Sequence, residues 1–341
     1  MDTPRLFYFC PDTQDKRGGI KILYRHVDIL CAHGMEAYIV HTQKKFRCAW
    51  FENNTPIQYV VDIKFRPSDY IVISEFWLPR MLTYKYTIKD FFRGYVNRKR
   101  DKHVVMDLAK LPVKKIIFNQ GCYLTFDGLG IDKDPHHLLY RDAVATLVVS
   151  EDSKKYIQYA FPSQPVFRIH NSLQTTIFSY SAEKKKQICF LTKKAPQDVE
   201  QVINLLKLRD RLDGFQLIPI DNKTEQEVAS IMKESLLFLS FGYAEGFSLP
   251  PAEAMACGCV VVGYDGRGGS EYFDSTFCYP IEVGDVIGFA RQVEFVIEEW
   301  KKNSDSLIAK GKQASEFIRS VYSSDVERQD VVNAWTHILK I

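Results

Sequence analysis

The chain has no run approaching ~20 uninterrupted apolar residues, so no membrane-spanning helix is expected. Its first residues, MDTPRLFYFCP, lack a basic segment followed by a long apolar stretch and are not expected to act as a signal peptide. No CxxC pair occurs among the eight cysteines (Cys10, Cys31, Cys48, Cys122, Cys189, Cys257, Cys259, Cys278). Cys257 and Cys259 have no second Cys/His pair to complete a zinc site, so the thiols read as reduced and mostly buried in a cytoplasmic protein. GxGxxG is also missing, which argues against a nicotinamide-type pyrophosphate site. Neither sign of charge dominates. The 45 Lys and Arg against 42 Asp and Glu leave a net +3, too weak to argue for nucleic acid. There are no short-period repeats and no low-complexity tracts.

What is present is a regular alternation. A length of 341 residues suits two domains of roughly 150–200 residues each. RLFYFCP (5–11) reads as a buried strand, followed by a loop with Gly18-Gly19, the amphipathic helix 20–34 stopped by Gly34, and the strand EAYIVH (36–41). Near-continuous apolar strands in β-loop-α-β order mark a parallel sheet covered on both faces. The pattern resumes at YIVIS (70–74), KKIIFNQ (114–120) and ATLVVS (145–150), and helix 150–161 closes on Pro162. A second set begins at QICFLT (187–192). Its helices are predicted at 198–212, 224–235 and 251–258, and its further strands at 215–220, 236–242 and 259–264. The spacing predicts an α/β protein with two Rossmann-like domains, 1–175 and 176–325, joined near the polar stretch 172–186. A terminal helix, 326–341, places Val331, Trp335, Ile338 and Leu339 on one face, so it either closes its own domain or reaches back to the first.

Ligands of parallel α/β sheets bind beyond the carboxyl ends of the strands. Several candidate groups fall there. Gly18 and Gly19 either let backbone N–H groups approach a phosphate or form a loop needing positive φ. Lys193 and Lys194, after QICFLT, either hold a diphosphate or stand solvated. Glu245 follows LLFLSFG, and Glu253 is placed in the first turn of a helix begun by Pro250-Pro251. An acid there complements the helix dipole. A capping box fails on spacing, since with Ser248 as N-cap the Glu should stand at 251, which is Pro. Two carboxylates at a sheet mouth suit sugar hydroxyls, which donate to charged acceptors. Gly266, Gly268 and Gly269 offer more backbone donors or a tight turn. Glu75, with Phe76 and Trp77, follows YIVIS at an acceptor-side position, although core aromatics fit that place equally. KYTIKDFFRGYVNRKRDKH (85–103) mixes basic and aromatic residues. It would meet a lipid-phosphate acceptor or an anionic membrane surface, or be a solvated helix face. The one DxD, Asp132-Lys133-Asp134, ends no apolar strand and is broken by Pro135, so it reads as a loop with exposed His136 and His137.

The block EGFSLPPAEAMACGCVVVGYDGRGGSEYF, with Glu245 and Glu253 in E-x7-E spacing, closely resembles the donor-site signature of the large retaining glycosyltransferase family of GT-B fold, family 4 or group 1. The resemblance is nearest to transferases that build bacterial surface polysaccharides, of rhamnosyl and mannosyl type. It implies two Rossmann-like domains facing each other across a cleft. Glu245 would contact the transferred sugar, with Gly246, Phe247, Ser248 and Leu249 contributing backbone groups. Glu253 would bind the nucleotide ribose, and Lys193 and Lys194 would neutralise the departing diphosphate. Gly18 and Gly19 would lie against that diphosphate from the first domain. The family's Arg before the Lys is here Lys193, which loses a bidentate fork. Asn119 and Gln120 stand where many members carry a His that touches the donor sugar. The implied partners are a nucleotide-sugar donor and a glycan or lipid-linked saccharide acceptor, with no cofactor and no metal. The alternatives are a nucleotide-sugar-binding subunit without turnover and a sugar-nucleotide epimerase.

Overall fold

The computed structural model describes residues 3–78 and 110–340. The chain forms two compact units. One holds the chain up to Ile169 together with the segment from Glu327 onward, and the other holds His170–Val326. The change of unit falls a few residues before the polar stretch that the sequence marks as the join.

The described residues of the first unit form seven strands: β1 (Leu6–Phe9), β2 (Ala37–His41), β3 (Ile57–Tyr59), β4 (Tyr70–Ser74), β5 (Lys114–Asn119), β6 (Ala145–Val148) and β7 (Val166–Arg168). They lie in the order β3-β2-β1-β4-β5-β6-β7, and every pairing is parallel. LFYF and YIVIS are buried at every position, as strands covered on both faces must be. Helix α1 (Gly18–Ala32) follows β1, and α2 (Glu151–Ala160) follows β6. Ser150 caps α2 by accepting from the Ser153 N–H. Gly34, in the left-handed region at φ 75°, ends the turn after α1. Gly18 and Gly19 differ from the sequence expectation. They are the first two residues of α1, not part of a preceding loop, and neither has positive φ.

The second unit contains β8 (Lys185–Leu191), α3 (Pro196–Leu208), β9 (Gln216–Ile220), α4 (Glu225–Glu234), β10 (Ser235–Ser240), α5 (Leu249–Ala256), β11 (Val260–Gly263), β12 (Cys278–Pro280), α6 (Val286–Lys302) and α7 (Ser304–Val321). Its parallel sheet runs β12-β11-β10-β8-β9. Its core packs Ile188, Leu237, Val260 and Val262 against Val202, Leu206, Phe289 and Val293 from the helices. The last helix, α8 (Ser324–Ile338), gives its residues from Glu327 onward to the first unit. There Trp335 is fully buried and donates its indole N–H to the Tyr8 hydroxyl at 2.7 Å. The Arg25 guanidinium reaches the buried Glu327 carboxylate at 2.6 Å.

Among the described residues, three strands and two helices go unassigned in the sequence reading. β3, β7 and β12 are three-residue edge strands without an all-buried run, and so short a segment has no visible period. α6 and α7 did carry a signal. Asp285 caps α6 ahead of Phe289, Val293, Val296 and Ile297, which are buried at helical spacing.

Candidate active site

Topology decides where the two sheets open. In the second unit, the chain leaves β8 towards β9 on one side and leaves β10 towards β11 on the other, although β8 and β10 are neighbours. The connections diverge, and such a reversal leaves a crevice at the carboxyl ends of the two strands. Lys194 enters it from the end of β8 and Glu245 from the end of β10. Lys194 Nζ lies 2.6 Å from Glu245 Oε1. The crevice behind the pair, bordered by Leu191, Ser240, Gly242 and Pro251, has a volume of about 10 Å³, room for about one water.

The local backbone is shaped for this pair. Ala195, just after Lys194, and Ala244, just before Glu245, are both left-handed, at φ 39° and 54°. Strain of this kind in non-glycine residues persists where surrounding structure holds it. Around Glu245, the Glu245 N–H bonds the Gly266 carbonyl at 3.0 Å, and the Gly268 N–H returns to the Glu245 carbonyl at 3.1 Å. A Cβ at Gly268 would stand 2.1 Å from the Gly246 oxygen, so glycine is required for this approach.

Ser248 is the N-cap of α5 but caps nothing with its side chain. Pro250 and Pro251 occupy the second and third helical positions and have no N–H to offer. The hydroxyl turns instead to Glu245, donating to Oε2 at 3.3 Å. The Ser248 carbonyl accepts from the buried Tyr272 hydroxyl. Phe247 is buried beside Tyr272 and Tyr322. Because α5 begins at Leu249, Glu253 is its fifth residue, and the first turn holds no acid. The expected place of Glu253 in the first turn is therefore corrected. Prolines are tolerated where the helical N–H groups are unbonded anyway, so the helix starts two residues earlier and Glu253 falls just past its first turn.

The lysine pair divides. Lys193, 70% exposed, turns to Asp221 at 2.7 Å and Asn222 at 2.8 Å, beyond the end of β9. Only Lys194 joins Glu245 and Ser248.

The first unit has the same kind of reversal between β1, which leads to β2, and β4, which leads to β5. Gly18 and Gly19 open α1 beside it, and no side chain caps this helix terminus. Gly19 lies against Gln120, whose side-chain nitrogen donates to its carbonyl at 3.3 Å. A Cβ there would stand 2.8 Å from Gln120 Oε1, so a side chain at this position would have to displace the end of Gln120. Glu75 opens a 3-10 turn after β4 and is 2% exposed. Burial lifts its carboxyl from an ordinary 4.5 to about 7, while backbone N–H groups of Gln120 and Gly121 pull it down. Trp77 belongs to the core, its ring 6.1 Å from that of Phe9, which settles the open question of whether it faces a ligand. Asn119, fully buried, donates to Thr125 at 3.0 Å and Tyr140 at 2.6 Å. Among the described residues, Glu75 Oε2, Asn119 Oδ1 and Gln120 Oε1 are buried without a hydrogen-bond partner. Each such atom costs about 1–3 kcal/mol.

One network was not anticipated. Asp12, two residues past Cys10 in the loop from β1, accepts from His41 Nδ1 at 2.9 Å and from the Thr42 and Gln43 N–H groups at 3.2 and 2.7 Å. His41 Nε2 lies 2.8 Å from the Tyr24 hydroxyl, which in turn accepts from the Cys48 N–H at 3.4 Å. These bonds are all satisfied when His41 Nδ1–H donates to Asp12 and Nε2 accepts from Tyr24. Burial pushes the Asp12 carboxyl up, but the bonds from His41 and Thr42 outweigh it and hold it below the usual value. The network pins the loop that leads to Gly18. Only an acid soon after a strand and a His ending the next strand hinted at it.

Asp132–Asp134 form an exposed loop in which Asp134 caps the turn at Pro135–His137. Among the described residues no group of three His, Cys, Asp or Glu is placed to hold a metal ion, and no helix is long and apolar enough to cross a membrane. All eight cysteines are free thiols, seven of them buried. The basic-aromatic segment 85–103 lies outside the described residues.

Residues 216–314 match the family Glycosyl transferases group 1, within the second unit. Over 210 residues the chain is 29% identical to an alpha-1,6-glucosyltransferase of Actinobacillus pleuropneumoniae serotype 7 (strain AP76). That match takes in 58% of this chain and 61% of the relative's length. Among solved structures, sucrose-phosphate synthase from Thermosynechococcus elongatus aligns with a TM-score of 0.63 at 11% identity, over 99% of both chains. Anabaena HepE in complex with UDP and glucose aligns at 0.61 and 12% identity, over 98% of this chain and 100% of the other. The catalytic domain of starch synthase IV from Arabidopsis thaliana, bound to ADP and acarbose, aligns at 0.62 and 10% identity over the full length of both. The fold is that of the GT-B glycosyltransferases: two α/β units, each on a parallel sheet.

Proposed function

We propose that this chain is a retaining glycosyltransferase that moves a hexose or deoxyhexose from a nucleotide-diphosphate sugar to a hydroxyl of a glycan or lipid-linked saccharide, in polysaccharide or glycoconjugate synthesis. The observation that carries the reading is the Lys194–Glu245–Ser248 cluster. It stands at the strand reversal of the second sheet, and two of its three residues, Glu245 and Ser248, lie inside the segment that matches the group 1 family. The alpha-1,6-glucosyl transfer named for the relative makes glucose the first hexose to test, ahead of rhamnose and mannose.

In this reading Glu245 accepts hydrogen bonds from hydroxyls of the transferred sugar, joined by backbone groups of Gly246, Phe247, Ser248 and Leu249. Glu253, half-buried on α5, takes the ribose hydroxyls. Gly18 and Gly19 give the diphosphate a helix N-terminus. Lys194 leaves its ground-state partner for the diphosphate, and Lys193 adds a second charge. The bond from the anomeric carbon to the diphosphate oxygen breaks, and the bond to the acceptor oxygen forms on the same face. The acceptor's proton passes to the leaving phosphate oxygen. The site's contribution is charge stabilisation of the departing diphosphate and orientation of the acceptor, with no metal required.

The test is a thermal-shift screen with UDP-, GDP-, dTDP- and ADP-sugars, since binding to the folded state raises the melting temperature. Turnover assays with the binding donor follow. No shift with any of the four classes overturns the reading. Binding without transfer or hydrolysis points instead to a non-catalytic nucleotide-sugar-binding subunit, and interconversion without acceptor points to an epimerase.

A further inference from the structure

Glu75, Asn119 and Gln120 come from the ends of two neighbouring strands, β4 and β5, and present one kind of unmet demand. Glu75 Oε2, Asn119 Oδ1 and Gln120 Oε1 are all oxygens, all buried, and all without a donor among the described residues. Their companion atoms are committed. Both hydrogens of the Asn119 amide go to Thr125 and Tyr140. The Gln120 amide nitrogen is spent on the Gly19 carbonyl. The Glu75 carboxyl is held from behind by the backbone N–H groups of Gln120 and Gly121, and Gly121 leaves room beside it. The tertiary fold thus leaves three buried acceptors that hydrogen-bond donors, from a hydroxyl-rich ligand or from water in its absence, would satisfy. A fully ionised anion, which offers only acceptors, does not satisfy the two amide oxygens.

We propose that Glu75 is a specificity-determining residue of the first unit, where its carboxyl, with the side-chain oxygens of Asn119 and Gln120, receives hydroxyls of a neutral saccharide. The assignment to the acceptor sugar rests on the glycosyltransferase reading above. The binding of a saccharide does not. The titratable group that faces Glu75 is Tyr140, whose buried hydroxyl stays protonated as burial and the Glu75 charge both raise its pKa. No positively charged side chain among the described residues acts on the carboxyl, so burial leaves it about half protonated near pH 7. A neutral carboxyl both donates to and accepts from a hydroxyl, which an ionised one does not.

The experiment uses the full chain labelled with ¹³C at the Glu carboxyl carbons, with the Glu75 resonance assigned by its loss in Glu75→Gln. The probes are neutral disaccharides (isomaltose, maltose, lactose, chitobiose) and, separately, inorganic phosphate. At least one disaccharide is expected to move the Glu75 resonance, and phosphate to leave it in place. Disaccharide affinity, read from ligand NMR, is expected to fall at least tenfold in Glu75→Ala. It should be kept within about threefold in Glu75→Gln, whose neutral amide preserves a donor and an acceptor. If no disaccharide moves the resonance, or phosphate does, the inference is overturned. If disaccharides move it while no nucleotide sugar stabilises the protein, the inference stands and the glycosyltransferase reading falls.

Discussion

Replacing Lys194 by Ala separates two roles of one side chain. As a structural element the pair with Glu245 is minor. Lys194 is 48% exposed, and such pairs contribute about 0–1 kcal/mol. For units of this size that lowers the melting temperature by at most about 2–4 °C. As a counter-charge to a leaving diphosphate the same group acts where charge develops, and removing one such group costs about 10²–10³ in kcat, or roughly 3–4 kcal/mol. The expectation is therefore a variant that melts nearly as wild type, binds the nucleotide sugar with little change, and turns over at least a hundredfold more slowly. Lys193→Ala should lose less, because Lys193 is engaged with Asp221 and Asn222 and starts further from Glu245. The assay is steady-state transfer with the donor identified by thermal shift, alongside melting curves of the same preparations. A Lys194→Ala enzyme with kcat within about threefold of wild type would refute the charge-stabilisation argument.

Gly268→Ala places a Cβ against the Gly246 carbonyl, and should cost about 2 kcal/mol or more in unfolding free energy and abolish donor stabilisation in thermal shift. Gly19→Ala meets only the mobile end of Gln120. It should cost under about 1 kcal/mol of stability while raising the donor KM. Glu75, lifted to about 7, binds its proton more tightly folded than unfolded. Its contribution is thus fully present below about pH 4.3 and is lost as pH rises through 7, a loss of order 3 kcal/mol. Denaturant titrations at pH 5 and pH 8 should show this slope in wild type and a flatter one in Glu75→Gln. Asp12 runs the other way. Its depressed carboxyl stabilises the fold above its unfolded value near about 3.9 and is lost as pH falls below it, and urea melts of Asp12→Asn should lose that acid-side dependence. Transfer in the presence of EDTA should equal transfer without it, and restoration only by an added divalent cation would contradict the metal-independent mechanism.

Much of the architecture can be read from the chain because it depends on local pattern. YIVIS is a strand in both the sequence reading and the structure. The runs at 114–119, 216–220 and 260–263 lie within a residue of where their apolar continuity placed them. Glu245 stands out in the sequence because it follows a strand of a parallel sheet, at the edge where ligands bind, eight residues before Glu253. Other features depend on neighbours far along the sequence. Nothing in Lys193-Lys194 says which lysine meets Glu245, a partner that is brought close only by the pairing of β8 with β10. The Asp12–His41–Tyr24 network joins residues from β2, α1 and a loop, each ordinary in its own context.

By itself the sequence determined the two parallel-sheet units, their main strands, the glycine-rich turn after β11 and the acids at the mouth of the second sheet. These follow from hydrophobic periodicity, helix-start chemistry and turn residues, which act over a few positions. Only the tertiary structure decided which strands are neighbours, hence where each sheet reverses and opens. It also decided that Lys194 and not Lys193 pairs with Glu245, that Trp77 is core, and that Glu75, Asn119 and Gln120 each carry a buried oxygen without a donor among the described residues. Contact between groups separated by tens of residues is set by sheet order and crossover geometry, and desolvation by everything packed around them. Neither quantity is carried by any short stretch of chain.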